Sequence, residues 1–247
     1  MPSLRRTAVL ALAAPLTLAL AACGGSGEEG APTGDPIAPI AAPAGQSWVD
    51  TAAETPEGGF VIGNPEAPLK LVEYASHTCP ACAAFSTGAA AALDEYVAKG
   101  IVSYEIRNQI HNPVDLTLAM LMRCGEPGVF HPLANQVWAN LPAVMDRAQQ
   151  NEAALTAAMQ APEAQRFQQI ADAAGLLDFF AARGISRDQA MQCLADTGKA
   201  QQIAQNSQTQ SDELGVTGTP TFFLNGSLVE GSRWIDVEPA LQAAGAR

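Results

Sequence analysis

The most reactive side chains in this sequence are its five cysteines: Cys23, Cys79, Cys82, Cys124 and Cys193. Two of them stand as Cys79-Pro80-Ala81-Cys82, a spacing that brings two sulfurs together across one helical turn. Three chemistries use such a pair: reversible dithiol–disulfide exchange, a static disulfide, or half of a zinc site. Zinc usually takes a second close pair. Cys124 and Cys193 are isolated and far apart, so no metal is expected. Redox exchange has a physical logic if a helix begins at the pair. The first sulfur then lies beside unpaired backbone N–H groups and the positive end of the helix dipole. These stabilise a thiolate and lower a thiol pKa from ~8.5 to roughly 3.5–7.5. Pro80 suits the first helical turn, where its missing N–H costs nothing. Cys79 is therefore the expected attacking thiol. Cys82, one turn on and more buried, is the expected resolving thiol.

The flanking sequence supplies such a helix. Leu69-Lys70-Leu71-Val72-Glu73-Tyr74 has the branched and aromatic content of a strand. A helical stretch follows from Ala83 to about Ala98 and ends at Gly100. Residues 101–106 alternate as a second strand, so the order implies a βαβ unit with a parallel pair. Before it, Phe60-Val61-Ile62 is a short apolar run stopped by Gly63-Asn64-Pro65. From Asn112 to Gln210 strand signals vanish. Apolar residues recur at helical spacing, as in Leu116, Met120, Leu121 and Cys124. Prolines 113, 127, 132, 142 and 162 cut this stretch into several helices. After Gly215 the pattern turns back to strand through Leu224, with Pro220 near its start. Asn225-Gly226 is a strong hairpin turn, and residues 235–244 form a last helix. The fold class is α/β: residues 47–111 carry the cysteine pair, 112–210 are a helical insertion, and 211–247 complete the first part.

The N-terminus reads as a targeting segment. Arg5 and Arg6 precede an apolar run over residues 8–22, too short to span a bilayer. Leu20-Ala21-Ala22-Cys23 resembles the bacterial lipobox, which implies a signal peptide over 1–22 and lipidation of Cys23, holding the mature chain to a membrane. Residues 23–46, rich in Gly, Pro and Ala, read as a flexible tether. Cleavage would remove two arginines and no acid, moving the formal charge from −12 to −14. An acidic chain without a basic cluster does not suit a nucleic-acid backbone. Four cysteines would remain, an even number for an oxidising compartment.

LVEYASHTCPACAAF, GVTGTPTFFLNG and the helical insertion between them resemble the DsbA family of thioredoxin-fold thiol–disulfide oxidoreductases. The resemblance covers roughly residues 56–245. It implies a thioredoxin fold with a helical insertion, with Cys79 as nucleophile and Cys82 as resolving thiol. Thr219-Pro220 matches the family's cis-proline loop, which faces the disulfide and pairs with substrate backbone. Glu73 matches an acidic residue beneath the active site, implied to relay protons to Cys82. A solvent-facing strand glutamate is the alternative. The archetype has Pro-His between its cysteines where this chain has Pro80-Ala81. That puts a very high oxidising power in doubt. His77, two residues upstream, is a candidate substitute, or a rim residue that touches substrate. His111 and His131 read as structural. Cys124 and Cys193 are implied to form a structural disulfide, with a second redox relay as the alternative.

The leading expectation is a cell-envelope enzyme that donates disulfides to reduced, unfolded exported proteins, without a bound cofactor. The resemblance implies a quinone-coupled, DsbB-like membrane partner for an oxidase, or a DsbD-like donor for a reductase. A reductase or isomerase is the close rival. Isomerases usually carry a dimerisation domain, and the tether is too short to be one, so a monomer is expected. A non-catalytic peptide-binding chaperone lipoprotein is the alternative of a different class.

Overall fold

The structure is a computed structural model that describes residues 34–247. The expected signal peptide and Cys23 therefore lie outside the described residues. The strands are β1 (Ala52–Glu54), β2 (Phe60–Gly63) and β3 (Leu69–Ala75). Helix α1 (Pro80–Ala98) leads to β4 (Val102–Asn108). Eight helices follow: α2 (Pro113–Met122), α3 (Phe130–Ala139), α4 (Leu141–Gln150), α5 (Glu152–Met159), α6 (Glu163–Ala173), α7 (Leu176–Ala181), α8 (Arg187–Leu194) and α9 (Thr197–Leu214). The chain returns through β5 (Thr221–Leu224), β6 (Ser227–Val229) and α10 (Trp234–Ala243).

The strands form one sheet in the order β1-β2-β4-β3-β5-β6. β3 and β4 are parallel, with Glu73 opposite Ile106, and the other pairs are antiparallel. Such a parallel pair needs a crossover, which α1 provides. Side chains alternate along β3, so Leu69, Leu71, Glu73 and Ala75 share a face. Leu69, Leu71 and Ala75 pack in one core with Cys82, Phe85 and Val97 of α1 and with Phe222 of β5. Glu73 is thus a carboxyl group on an apolar face. Tyr74, on the other face, packs with Val216 and Phe223.

Strand β5 begins only at Thr221, later than the sequence pattern suggests. Thr219-Pro220 is a cis peptide bond, and Pro220 has no N–H for a ladder. The helical stretch runs to Leu214 rather than 210, closed by Gly215 in a left-handed conformation (φ 68°).

The expected tether is shorter than its composition suggests. Residues 34–46 form no helix or strand, yet Ile37 N–H donates to Gly245 C=O (2.9 Å) and Ile40 N–H to Lys99 C=O (2.8 Å). Trp48 Nε1 donates to Ile40 C=O (2.7 Å). A side chain at Gly100 (φ 70°) would collide with Ile40 O and Trp48. The glycine that stops α1 therefore also lets this segment dock.

Cys124, just past α2, and Cys193 of α8 form a disulfide with a Cα–Cα distance of 5.8 Å. It closes a 69-residue loop within the insertion. Constraining an unfolded loop of that length contributes roughly 4 kcal/mol in the chain-entropy model. Replacing both cysteines by serine is expected to lower unfolding stability by about 2–4 kcal/mol. Urea titration of the two proteins, with the Cys79–Cys82 state matched, checks this; equal midpoints would remove the disulfide from the stability account.

Candidate active site

The site is built at the junction of β3 and α1. After Ala75 the chain makes one tight turn, with Cys79 N–H donating to Ser76 C=O (3.2 Å). Cys79 is the N-cap of α1, in extended conformation (φ −88°, ψ 120°), and Pro80 opens the helix. The insertion clamps this turn. Asp115 of α2 is fully buried and accepts from Ser76 Oγ (2.7 Å), His77 N–H (2.8 Å) and His111 N–H (2.9 Å). Asn112 donates to Thr78 Oγ1 (2.9 Å), and Trp138 Nε1 of α3 to Ser76 C=O (3.1 Å). Three donors offset the desolvation of Asp115, although burial still raises its pKa.

The two sulfurs differ sharply in environment. Both are free thiols; Cys79 is partly exposed and Cys82 is fully buried. Cys79 is pulled down to about 5. The largest cause is a hydrogen bond from the Cys82 thiol, joined by the Thr219 hydroxyl and the backbone N–H groups of Cys82 and Ala81. Partial burial opposes this. In its thiol form Cys79 can instead donate to Thr219 C=O (3.3 Å), a contact that the helix-end donors outweigh. Burial pushes the Cys82 thiol far above its ordinary range, and its donation to Cys79 and the nearby Glu73 add to this. One sulfur is thus prepared as thiolate, and the other is held as thiol until a base takes its proton.

Glu73 lies close enough to the Cys82 thiol to act on it electrostatically. It is fully buried, and burial lifts its carboxyl to about 8. Tyr104 of β4 donates its phenol O–H to Glu73 Oε2 and partly counters the rise. Glu73 Oε1 has no hydrogen-bond partner among the described residues. A carboxyl that titrates near neutral pH beside a buried thiol is suited to proton exchange with it.

His77 does not sit on the rim, and the sequence-based expectation that it touches substrate is corrected. Its ring is fully buried, stacked on Trp138 (5.0 Å between centroids) and edge-on to Phe130 (5.9 Å). Asn108 Nδ2 lies 3.1 Å from its Nδ1. Burial, with Arg123 and His131 nearby, pushes it down to about 3, so it carries no charge that could hold the Cys79 thiolate. His131 is buried with Nε2 2.8 Å from Phe60 O. His111 lies at the mouth instead, its Nε2 3.4 Å from Thr219 Oγ1. Pro220 is buried and Thr219 half-buried beside Cys79. Sequence reasoning missed Tyr104 and Asp115. Tyr104 follows Ser103 in an alternating strand, and only its place two residues before Ile106, the partner of Glu73, could have marked it. Among the described residues there is no cluster of three His, Cys, Asp or Glu side chains that could hold a metal. No helix among them is long and apolar enough to cross a membrane.

Residues 55–243 match the family model described as thioredoxin. A protein-disulfide isomerase from Novosphingobium aromaticivorans superposes with a TM-score of 0.72 at 29% identity, over 77% of this chain and 98% of that one. A single-residue variant of alpha-DsbA1 from Wolbachia pipientis gives 0.52 at 25% identity, over 66% and 73%. A Rickettsia typhi protein named "Putative protein-disulfide oxidoreductase" is 27% identical over 173 residues, 69% of this chain. That alignment spans 56% of the Rickettsia protein, so the chain matches little more than half of this curated relative.

Two outcomes follow from these environments. Thiolate absorbance of the reduced protein should titrate near pH 5 and vanish in Cys79→Ser; a midpoint above 8 would contradict the helix-end account. Glu73 binds its proton more tightly folded than unfolded, so its contribution to stability falls as the pH rises from 4.5 to about 8. Glu73→Gln should therefore gain stability relative to the wild type over that range, read from denaturant midpoints at fixed redox state; a constant difference would contradict the raised pKa.

Proposed function

The chain belongs to the thioredoxin family, and from that premise we propose that it is a thiol–disulfide oxidoreductase that donates disulfides to exported proteins. The observation that carries this reading is the asymmetry between the two sulfurs. Cys79, at a helix N-terminus, is held down to about 5, whereas Cys82 is buried and held as thiol. Stabilising the Cys79 thiolate stabilises the reduced pair, which makes the disulfide form a stronger oxidant.

In the forward reaction a substrate thiolate attacks Cys79 Sγ of the Cys79–Cys82 disulfide. The electron pair leaves with Cys82, which takes a proton from Glu73. A second substrate thiolate then attacks the substrate sulfur of the mixed disulfide, forming the substrate's disulfide and releasing Cys79 as thiolate. The Thr219-Pro220 segment lies against Cys79, where an extended substrate backbone could pair with it. A partner disulfide regenerates the pair by the reverse exchange. We place the protein in the cell envelope, anchored by lipid on Cys23 and served by a DsbB-like membrane partner; the order of Arg5, the apolar run and Cys23 supports this. An isomerase or reductase, served by a DsbD-like donor, is the second reading. It is favoured by the Novosphingobium relative, named an isomerase, and by the Pro80-Ala81 dipeptide.

Mixing the oxidised chain with a reduced two-cysteine peptide at neutral pH tests the direction. Transfer of one disulfide per chain is expected, with Cys79→Ser and Cys82→Ser both inactive as donors; mixed instead with the oxidised peptide, reduced Cys82→Ser should accumulate as a Cys79-linked mixed disulfide, because no second thiol of the chain resolves it. A peptide that stays reduced, while the reduced chain opens an oxidised peptide, would establish the reductase reading instead.

A further inference from the structure

Cys82 is fully buried, and in a mixed disulfide the mouth at Cys79 is occupied by the bound partner. Its proton nevertheless has to leave for Cys82 to attack. The Glu73–Tyr104 pair reaches in a second direction. Glu73 lies within electrostatic reach of both sulfurs, and Tyr104, on the adjacent strand, donates to its Oε2. Tyr104 also lines a cavity of about 480 Å³ that opens between α1 and α3. Phe85, Ala89 and Leu93 of α1 and His131 of α3 form its walls, with Asp94 and Asn135 at the solvent side. Cys79, His111, Thr219 and Pro220 take no part in its lining.

Resting on the disulfide-exchange reading above, we propose that Tyr104 is a positioning residue that connects Glu73 to this cavity, so that the proton of Cys82 exchanges with water between α1 and α3 while substrate covers the mouth. In the resolving step the Cys82 thiol proton passes to the Glu73 carboxylate. The Cys82 thiolate attacks Cys79 Sγ, the Cys79–partner S–S bond breaks, and its electron pair leaves on the partner's sulfur as thiolate. Glu73 then gives its proton to Tyr104 Oη, which both donates and accepts and passes a proton to cavity water. The titratable groups facing this pair are Cys79 and Cys82 at the start of α1, Asp94 later in α1, and His131 of α3, whose ring lies 5.2 Å from that of Tyr104. On β5 the register partner of Glu73 is Phe222, which does not titrate. His131 is occupied at Nε2 by Phe60 O, which leaves Tyr104 as the polar link.

The test uses an aryl disulfide reagent that releases a coloured thiolate. The reduced chain should release one equivalent when Cys79 attacks and a second when Cys82 resolves the adduct, and the second phase is followed against pH. Tyr104→Phe should slow it by about 100-fold, the lower end of the range for a lost proton-transfer group. It should also move the pH midpoint upward, because the carboxylate loses a donor. Asn135→Trp, an exposed position whose new indole fills the cavity mouth, should slow the second phase with its midpoint unchanged. Asn135→Trp should leave the first phase unchanged. Wild-type rates in Asn135→Trp would overturn the proposal, whether or not Tyr104→Phe shifts the midpoint, since Tyr104 would then tune Glu73 without connecting it to the cavity. A wild-type chain that releases only one equivalent would instead sink the exchange reading on which the proposal rests.

Discussion

Donors converge on the sulfur of Cys79: foremost the Cys82 thiol, then the Thr219 hydroxyl and the backbone N–H groups of Cys82 and Ala81, which have no partners within the helix at the first turn of α1. The rest of the site depends on that convergence. It gives a thiolate at a pH where a free cysteine would be protonated, and it works only if the helix begins at residue 80 and the cysteine caps it in extended conformation. A histidine between the cysteines is therefore dispensable for lowering the Cys79 pKa. The Cys82 thiol, then the Thr219 hydroxyl and the N–H groups of Cys82 and Ala81, supply the donors.

Holding the helix start in place falls to the insertion. Asp115 and Trp138 come from α2 and α3, yet their hydrogen bonds go to Ser76 and His77 in the turn before Cys79. His77 is buried under the same helices. A buried carboxylate such as Asp115 is tolerated because three donors converge on it, and the same convergence fixes the turn. Glu73 is the opposite case. It has one donor and one empty oxygen, so burial is left uncompensated and appears as a pKa near neutrality. Burial is thus offset by three donors at Asp115 and left largely uncompensated at Glu73.

Much of this was legible in the residues. Cys79-Pro80-Ala81-Cys82 after a strand pattern located the helix start, and Asn225-Gly226 located the last hairpin, because both signals are local. Thr219-Pro220 was legible through family resemblance, not through spacing. What the sequence hid was long-range. His77 read as a surface residue because nothing local announces that Phe130 and Trp138, more than fifty residues later, close over it. Tyr104 looked like one more strand aromatic, since its meaning lies in the parallel register that sets it near Glu73. Ile37 and Ile40 were lost in a Gly/Pro/Ala-rich stretch whose composition signals a tether, while two backbone hydrogen bonds hold it down.

The central claim is that the environment of Cys79 makes the Cys79–Cys82 disulfide a donor. Its reduction potential, measured by equilibration with glutathione buffers, tests this most directly. A value more oxidising than about −200 mV, towards the oxidase end of the scale, is expected. A value near roughly −270 mV, where thioredoxin lies, would contradict it.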